Sequence, residues 1–183
     1  MTAVAAKPAE TSDNKTISSQ LEVNSRVFEA IVDSTQKGLG MTGMKAHCAG
    51  VSRVPGRQHG ELTSMIGVHG KVSGFFTVNM SQRLAAQALE GLLGDRYDEL
   101  SPALIDGAGE LANMIVGGVK STLTSTEWAF SSITVPSVIV GDGYQVAFAR
   151  GLELLDVTFE VENAEAVTVS DRMLHVSMSL LKL

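Results

Sequence analysis

The chain is short of several things, and each shortage removes a class of function. It has one cysteine, Cys48, among 183 residues. An intramolecular disulfide framework needs at least two, and a Cys-based zinc site needs more. Lys and Arg number 14 against 20 Asp and Glu, for a net charge of −6. No basic cluster interrupts that excess, so neither nucleic acid nor an anionic membrane surface is an expected partner. No uninterrupted apolar run approaches the ~18 residues that span a bilayer. Residues 1–20 lack the apolar stretch of a secretory signal, so a cytoplasmic protein is expected. Aromatics are only 5% of the chain, and an aliphatic core follows.

What is present suffices for one domain around one core: 44% of residues are apolar. Residues 1–18 are small, polar and aperiodic, and read as a disordered tail ahead of a folded domain over 19–183. Val23, Val27, Ala30, Ile31 and Ser34 recur at helical spacing. They predict a first helix over Ser19–Lys37, stopped by Gly38 and Gly40. A strand is expected near Met44–Val54. Leu62–His69 and Val72–Met80 flank Gly70-Lys71 as the arms of a hairpin. Ser81 is the expected N-cap of a second helix ending at Gly94. Ser101-Pro102 opens a third, running to about Thr124. Beyond Ile133 three or four strands are expected, with Val146–Ala149, Leu154–Val161 and Met173–Leu181 favouring β structure. The order predicts an α+β fold, an antiparallel sheet with long helices on one face.

The third helix carries the chemistry. At about 100° per residue, with Asp106 at zero, Glu110 falls near about +40°, Asn113 near about −20° and Gly117 near about +20°. Leu104, Ala108, Leu111, Ile115 and Val119 gather at the opposite pole. A solvated helix face would ordinarily use Lys, Arg and Glu in stabilising pairs. Here two like charges stand at i,i+4, and Asn113, Gly117 and Gly118 are poor mid-helix residues, Gly costing about 1 kcal/mol against Ala. Helix stability is given up for a short-side-chain surface, which points to close approach of another surface. Two carboxylates one turn apart, without further oxygen ligands nearby, make a poor metal site, so no metal is expected. His47, His59, His69 and His175 are scattered, and no Ser-His-Asp or Cys-His arrangement is evident.

Asp106, Glu110 and Asn113, with Pro136 after a gap of 22 residues, reproduce an Asp/Ser-x3-Glu-x2-Asn-x22-Pro signature. In this the chain resembles the CheC/CheX/FliY chemotaxis phosphatases. GAGELANMIVGGVKSTL is similar to their active-site helix, GVHGKVSGFFTVNMSQRLAAQALEGLLG to the preceding hairpin and helix, and SITVPSVIVGDG to their proline-bearing strand. The likeness covers about residues 21–183. A second copy of the spacing lies upstream: Ser25, Glu29 and Val32, with Pro55 following after 22 residues. It suggests an internal duplication whose first site has lost its amide. CheC-like proteins carry two such sites and CheX-like proteins one, so the chain is most similar to CheX.

The resemblance implies a CheC/CheX-like fold with an internal pseudo-repeat. It also implies a phosphatase acting on the aspartyl phosphate of a CheY-like response regulator. Asn113 would orient the attacking water and Glu110 would pair with the receiver's lysine. Asp106 and Gly117 would touch the partner, and Pro136 would shape the neighbouring strand. The chain itself would need no cofactor, Mg²⁺ being carried by the receiver. A homodimer through sheet edges is expected, with the apolar C-terminus MLHVSMSLLKL taking part. The alternative is a non-catalytic receiver-binding module or a structural module like those of the flagellar switch.

Overall fold

The computed structural model describes residues 24–183 apart from 55, 98, 147–150 and 164. The expected tail over 1–18 therefore lies outside the described residues, as does most of the strand expected at Val146–Ala149. Val146 itself is not in a strand.

Residues 19–23 of the predicted span lie outside the described residues, and Asn24 caps the first helix. Its side-chain Oδ1 accepts from the Val27 N–H at 3.3 Å, and α1 runs Ser25–Met41. Gly38 and Gly40 do not end it. Gly38 is buried, with its Cα turned to Ile115, so the glycine serves a helix crossing rather than a stop. α2 spans Gln82–Leu93 and α3 Pro102–Leu123. Ser81 and Ser101 each accept the N–H three residues on, as the sequence requires. Gly94 ends α2 with φ +80°, a conformation that suits a residue without Cβ.

The strands are β1 (Ala46–Ser52), β2 (Leu62–Gly70), β3 (Val72–Met80), β4 (Phe130–Ile133), β5 (Ser137–Val140), β6 (Glu153–Val161) and β7 (Met173–Lys182). They form one sheet in the order β1-β6-β7-β3-β2-β4, with β5 also on β2, and every pairing is antiparallel. The C-terminal strand is thus interior, bonded to β6 on one side and β3 on the other. It has no free edge for a second copy, contrary to the expectation from MLHVSMSLLKL. The edges belong to β1 and to β4 with β5. The turn expected at Ser170-Asp171 is a short 3-10 helix, Ser170–Arg172.

The strand order is that of two like halves with their outer strands exchanged. The hairpins β2–β3 and β6–β7 meet at the β3–β7 pairing. β1 of the first half closes the second hairpin at β6, and β4 with β5 of the second half close the first hairpin at β2. α1 and α3 are the matching helices. They pack side by side, α1 toward β1 and β6 and α3 toward β2, β4 and β5. The pseudo-repeat read from Ser25, Glu29 and Val32 is present as architecture. Pro55, the last element of that copy, lies outside the described residues.

Alternate residues of each interior strand build the core. Leu62, Ile66, Val68, Val72, Phe76, Val78 and Met80 meet Leu155, Val157, Phe159, Val161, Leu174, Val176 and Leu180 under the helices. The opposite face is mixed, with Thr63, Thr77, Ser177 and Ser179 beside half-buried Met65, Phe75 and Leu154. On it Asn79 is buried, and its amide ties β3 to the chain entering β2. Nδ2 donates to the carbonyls of Gly60 (2.8 Å) and Leu62 (3.2 Å) and to Thr63 Oγ1 (2.8 Å), while Oδ1 accepts from the Gly60 N–H (3.0 Å).

Candidate functional site

α3 is held rigidly on three sides, and only its fourth faces solvent. Leu104, Ala108, Leu111, Ile115 and Val119 are all 0–2% exposed, as their angular position requires. Gly109, Ala112 and Val116 are buried as well. The buried arc is therefore wider than one stripe, because the helix is flanked by β5 as well as by the sheet below it. Ser64 Oγ on β2 donates to the Ala108 carbonyl at 3.0 Å and pins the helix two residues before Glu110. A Cβ built on Gly107 would fall 2.4 Å from Leu89 Cδ1, so α2 presses directly on the helix there. On the far flank a Cβ on Gly109 would meet Pro136 Cβ at 3.4 Å.

The remaining face presents the four expected residues. Asp106 and Glu110 are exposed, Asn113 and Gly117 half-buried. Helical geometry sets successive members about 5–6 Å apart at Cβ. Among the described residues, no hydrogen bond or ion pair engages the side chains of Asp106, Glu110 or Asn113. All three polar heads are free for a partner. A Cβ on Gly117 would meet nothing within 4 Å, whereas one on Gly118 would lie 2.9 Å from Ser34 Cβ. The two adjacent glycines therefore do different things: Gly118 lets α1 cross, and Gly117 leaves a gap in the outer face.

Pro136 does not sit inside a strand, as SITVPSVIVGDG suggested. It occupies a break between β4 and β5. Val68 pairs with Ile133 and Met65 with Ser137, so three residues, Thr134–Pro136, stand opposite two, Ile66 and Gly67. That is a β-bulge, and a proline without an N–H suits its unpaired position. Thr134 fastens the bulge, its N–H donating to Gly67 O and its Oγ1 accepting from the Gly67 N–H, both at 2.9 Å. The supports that sequence reasoning missed are Ser64, Leu89 and Thr134. Gly107 and Gly109 beside the motif were their only trace in the sequence.

The first copy lacks this surface. Glu29 and Ser25 are exposed, but Val32 stands where Asn113 stands in the second copy and packs half-buried against the core. It offers no amide at that position; the carboxamide one turn on, Gln36, is already engaged, its Nε2 donating to the Ala46 carbonyl at 3.0 Å. A polar cleft of about 570 Å³ between α2 and residues 165–171 contains none of the stripe residues. Among the described residues no group of three His, Cys, Asp or Glu could hold a metal. No described helix is long and apolar enough to cross a membrane. The candidate site is a strip of short polar side chains on the outer face of a helix, a shape that suits entry into the cleft of another protein.

A family model described as chemotaxis phosphatase CheX matches residues 62–160, more than half of the chain. No curated protein matches the sequence. Several solved structures share the fold at low identity. A CheC-like superfamily protein from Shewanella sp. PV-4 superposes with a TM-score of 0.71 at 18% identity, covering 86% of this chain and 99% of its own. A chemotaxis protein CheX from Desulfovibrio desulfuricans gives 0.69 at 20%, covering 84% and 98%. The CheX chain of a CheX–CheY–BeF3–Mg²⁺ complex from Borrelia burgdorferi gives 0.65 at 19%, covering 85% and 97%.

Proposed function

The chain belongs to the chemotaxis phosphatase CheX family, and from that premise we propose that it hydrolyses the aspartyl phosphate of a CheY-like response regulator through the outer face of α3. The observation that carries this reading is the amide of Asn113 one turn from the carboxylate of Glu110 on the outer side of α3, neither engaged by a partner among the described residues. The Borrelia complex holds CheY and Mg²⁺ together with a chain of the same fold, which supports a receiver as the partner and an Mg²⁺ carried by that receiver.

Phosphoryl transfer to water needs an in-line nucleophile and charge stabilisation more than covalent help. The water oxygen attacks phosphorus as the bond to the aspartyl oxygen breaks. The aspartate leaves as carboxylate; the attacking oxygen keeps one water proton and the other passes to a phosphoryl oxygen, giving dihydrogen phosphate. A carboxamide donates and accepts hydrogen bonds at once. Asn113 can therefore hold the water by a lone pair while its N–H₂ faces a phosphoryl oxygen, which orients the attack. Holding one molecule in line is where such a group acts, by removing the entropy of finding that geometry. Glu110 seats the helix by pairing with the receiver's lysine, and Asp106 makes a peripheral contact. Gly117 leaves room for the partner's backbone. No general base is needed, which agrees with a strip that contains no histidine.

The test is decay of a phosphorylated receiver. Asn113→Ala is expected to abolish the stimulated decay while leaving binding within about threefold, and Glu110→Ala to raise KM with a smaller effect on kcat. Full activity in the Asn113 variant would overturn the assignment. A wild-type chain that binds the receiver without accelerating decay would favour the non-catalytic module instead.

A further inference from the structure

The strip does not stop at Gly117. Continuing at about 100° per residue, Lys120 falls near about −40°, within the same arc as Asn113 and about 10 Å further along the axis. It is half-buried, and among the described residues its ammonium has no ion pair or hydrogen bond. Long side chains on a helix lean toward its N-terminus and cover the preceding turn. For Lys120 that turn contains Gly117, whose outer side is open. The ammonium can therefore reach back across the gap toward Asn113, with no side chain between them on the strip.

We propose that Lys120 is a docking residue which meets the anionic phosphoaspartate pocket of the receiver across the Gly117 gap. The proposal rests on the reading of Asn113 and Glu110 given above. The physical need is plain. The chain carries net charge −6, and Asp106 and Glu110 stand at the near end of the strip. The incoming group is a phosphoryl anion among carboxylates, so an all-acidic face would repel it. A single free cation at the far end makes the strip bipolar. Glu110 then answers the partner's lysine and Lys120 its negative charge, so the two ends fix the direction in which α3 enters. The competing account is that Lys120 serves only its own helix, as the cation of the last turn. That account predicts a change in stability and none in the partner.

Decay of a phosphorylated receiver is measured with Lys120→Ala, Lys120→Arg and Lys120→Glu across a range of NaCl, alongside thermal unfolding. Lys120→Ala should lower kcat/KM about tenfold, mainly through KM, and flatten its dependence on salt. Lys120→Glu should lower it further, and Lys120→Arg should stay within about twofold of wild type because it keeps the charge. An Ala variant with unchanged kcat/KM and unchanged salt dependence would overturn the proposal. So would an Arg variant as impaired as the Glu variant. If the wild-type chain neither binds nor dephosphorylates a receiver, the reading of Asn113 and Glu110 falls as well. If it does both and only the Lys120 series is flat, the docking role alone is wrong.

Discussion

Gly118 and Ser34 touch where α3 crosses α1, so closely that a Cβ on the glycine would stand 2.9 Å from both Ser34 Cβ and Oγ. The neighbouring Gly117 faces open space. One sequence pair, Gly117-Gly118, therefore divides into a residue that holds the helices together and one that shapes the outer strip.

Substitutions should separate the two glycines. Gly118→Val is expected to destabilise the fold by about 1–3 kcal/mol, because the branched side chain must push α1 away. Gly117→Ala is expected to stabilise it by up to about 1 kcal/mol, since a helix interior favours alanine and nothing obstructs the methyl. The same Gly117→Ala chain should bind the receiver less well if the partner passes close to this turn. Urea titration reads the first pair of effects and the decay assay the last. A destabilised Gly117→Ala chain would contradict the open space.

The first copy should be inert in catalysis. Glu29 is exposed as Glu110 is, but Val32 supplies no amide to hold water. Glu29→Ala is expected to leave kcat and KM within about twofold of wild type. A tenfold loss in a properly folded Glu29 variant would show that α1 takes part.

Asn79 should be expensive to lose. It is 1% exposed, its two Nδ2 hydrogens are shared among three acceptors, and its Oδ1 accepts once. Asn79→Ala takes away the acceptor of the buried Gly60 N–H, at about 1–3 kcal/mol for that orphaned donor, and removes the amide's bonds to Gly60, Leu62 and Thr63. Asn79→Asp keeps the acceptor for Gly60 but removes both N–H donors and buries a charge, so it should not rescue the fold. Unfolding midpoints of the two variants check this. Near-wild-type stability in Asn79→Ala would mean that water replaces the amide.

Much of this was legible in advance because it is local. Ser81 and Ser101 cap the helices they precede. The hairpin between β2 and β3 turns where expected, although Gly70 is the last residue of β2 and Lys71 alone lies between the strands. The five aliphatic positions of α3 are buried and its four site positions face outward. Caps, turns and helical periodicity depend on residues within a few positions of one another, so the chain states them directly. Gly38 and Gly40 were misread for the opposite reason. A glycine that ends a helix and one that admits a neighbouring helix look alike until the neighbour is in place, and the neighbour, Ile115, lies 77 positions away. Pro136 gave the same difficulty: its strand is interrupted by a bulge whose partners, Ile66 and Gly67, lie far back in the chain.

By itself the amino-acid sequence determined the helices, the hairpins, the spacing of Asp106, Glu110 and Asn113, and the doubled motif in which only the second copy keeps its amide. Those follow from short-range geometry and from residue identity. Only the tertiary structure decided which strands are edges, and it placed the apolar C-terminal strand inside the sheet. It also decided that three sides of α3 are closed, by α1, α2 and β5, so that one polar face remains. Both depend on pairings between distant segments, where burial of apolar surface outweighs any local preference. The site is the face left over once those pairings have been made.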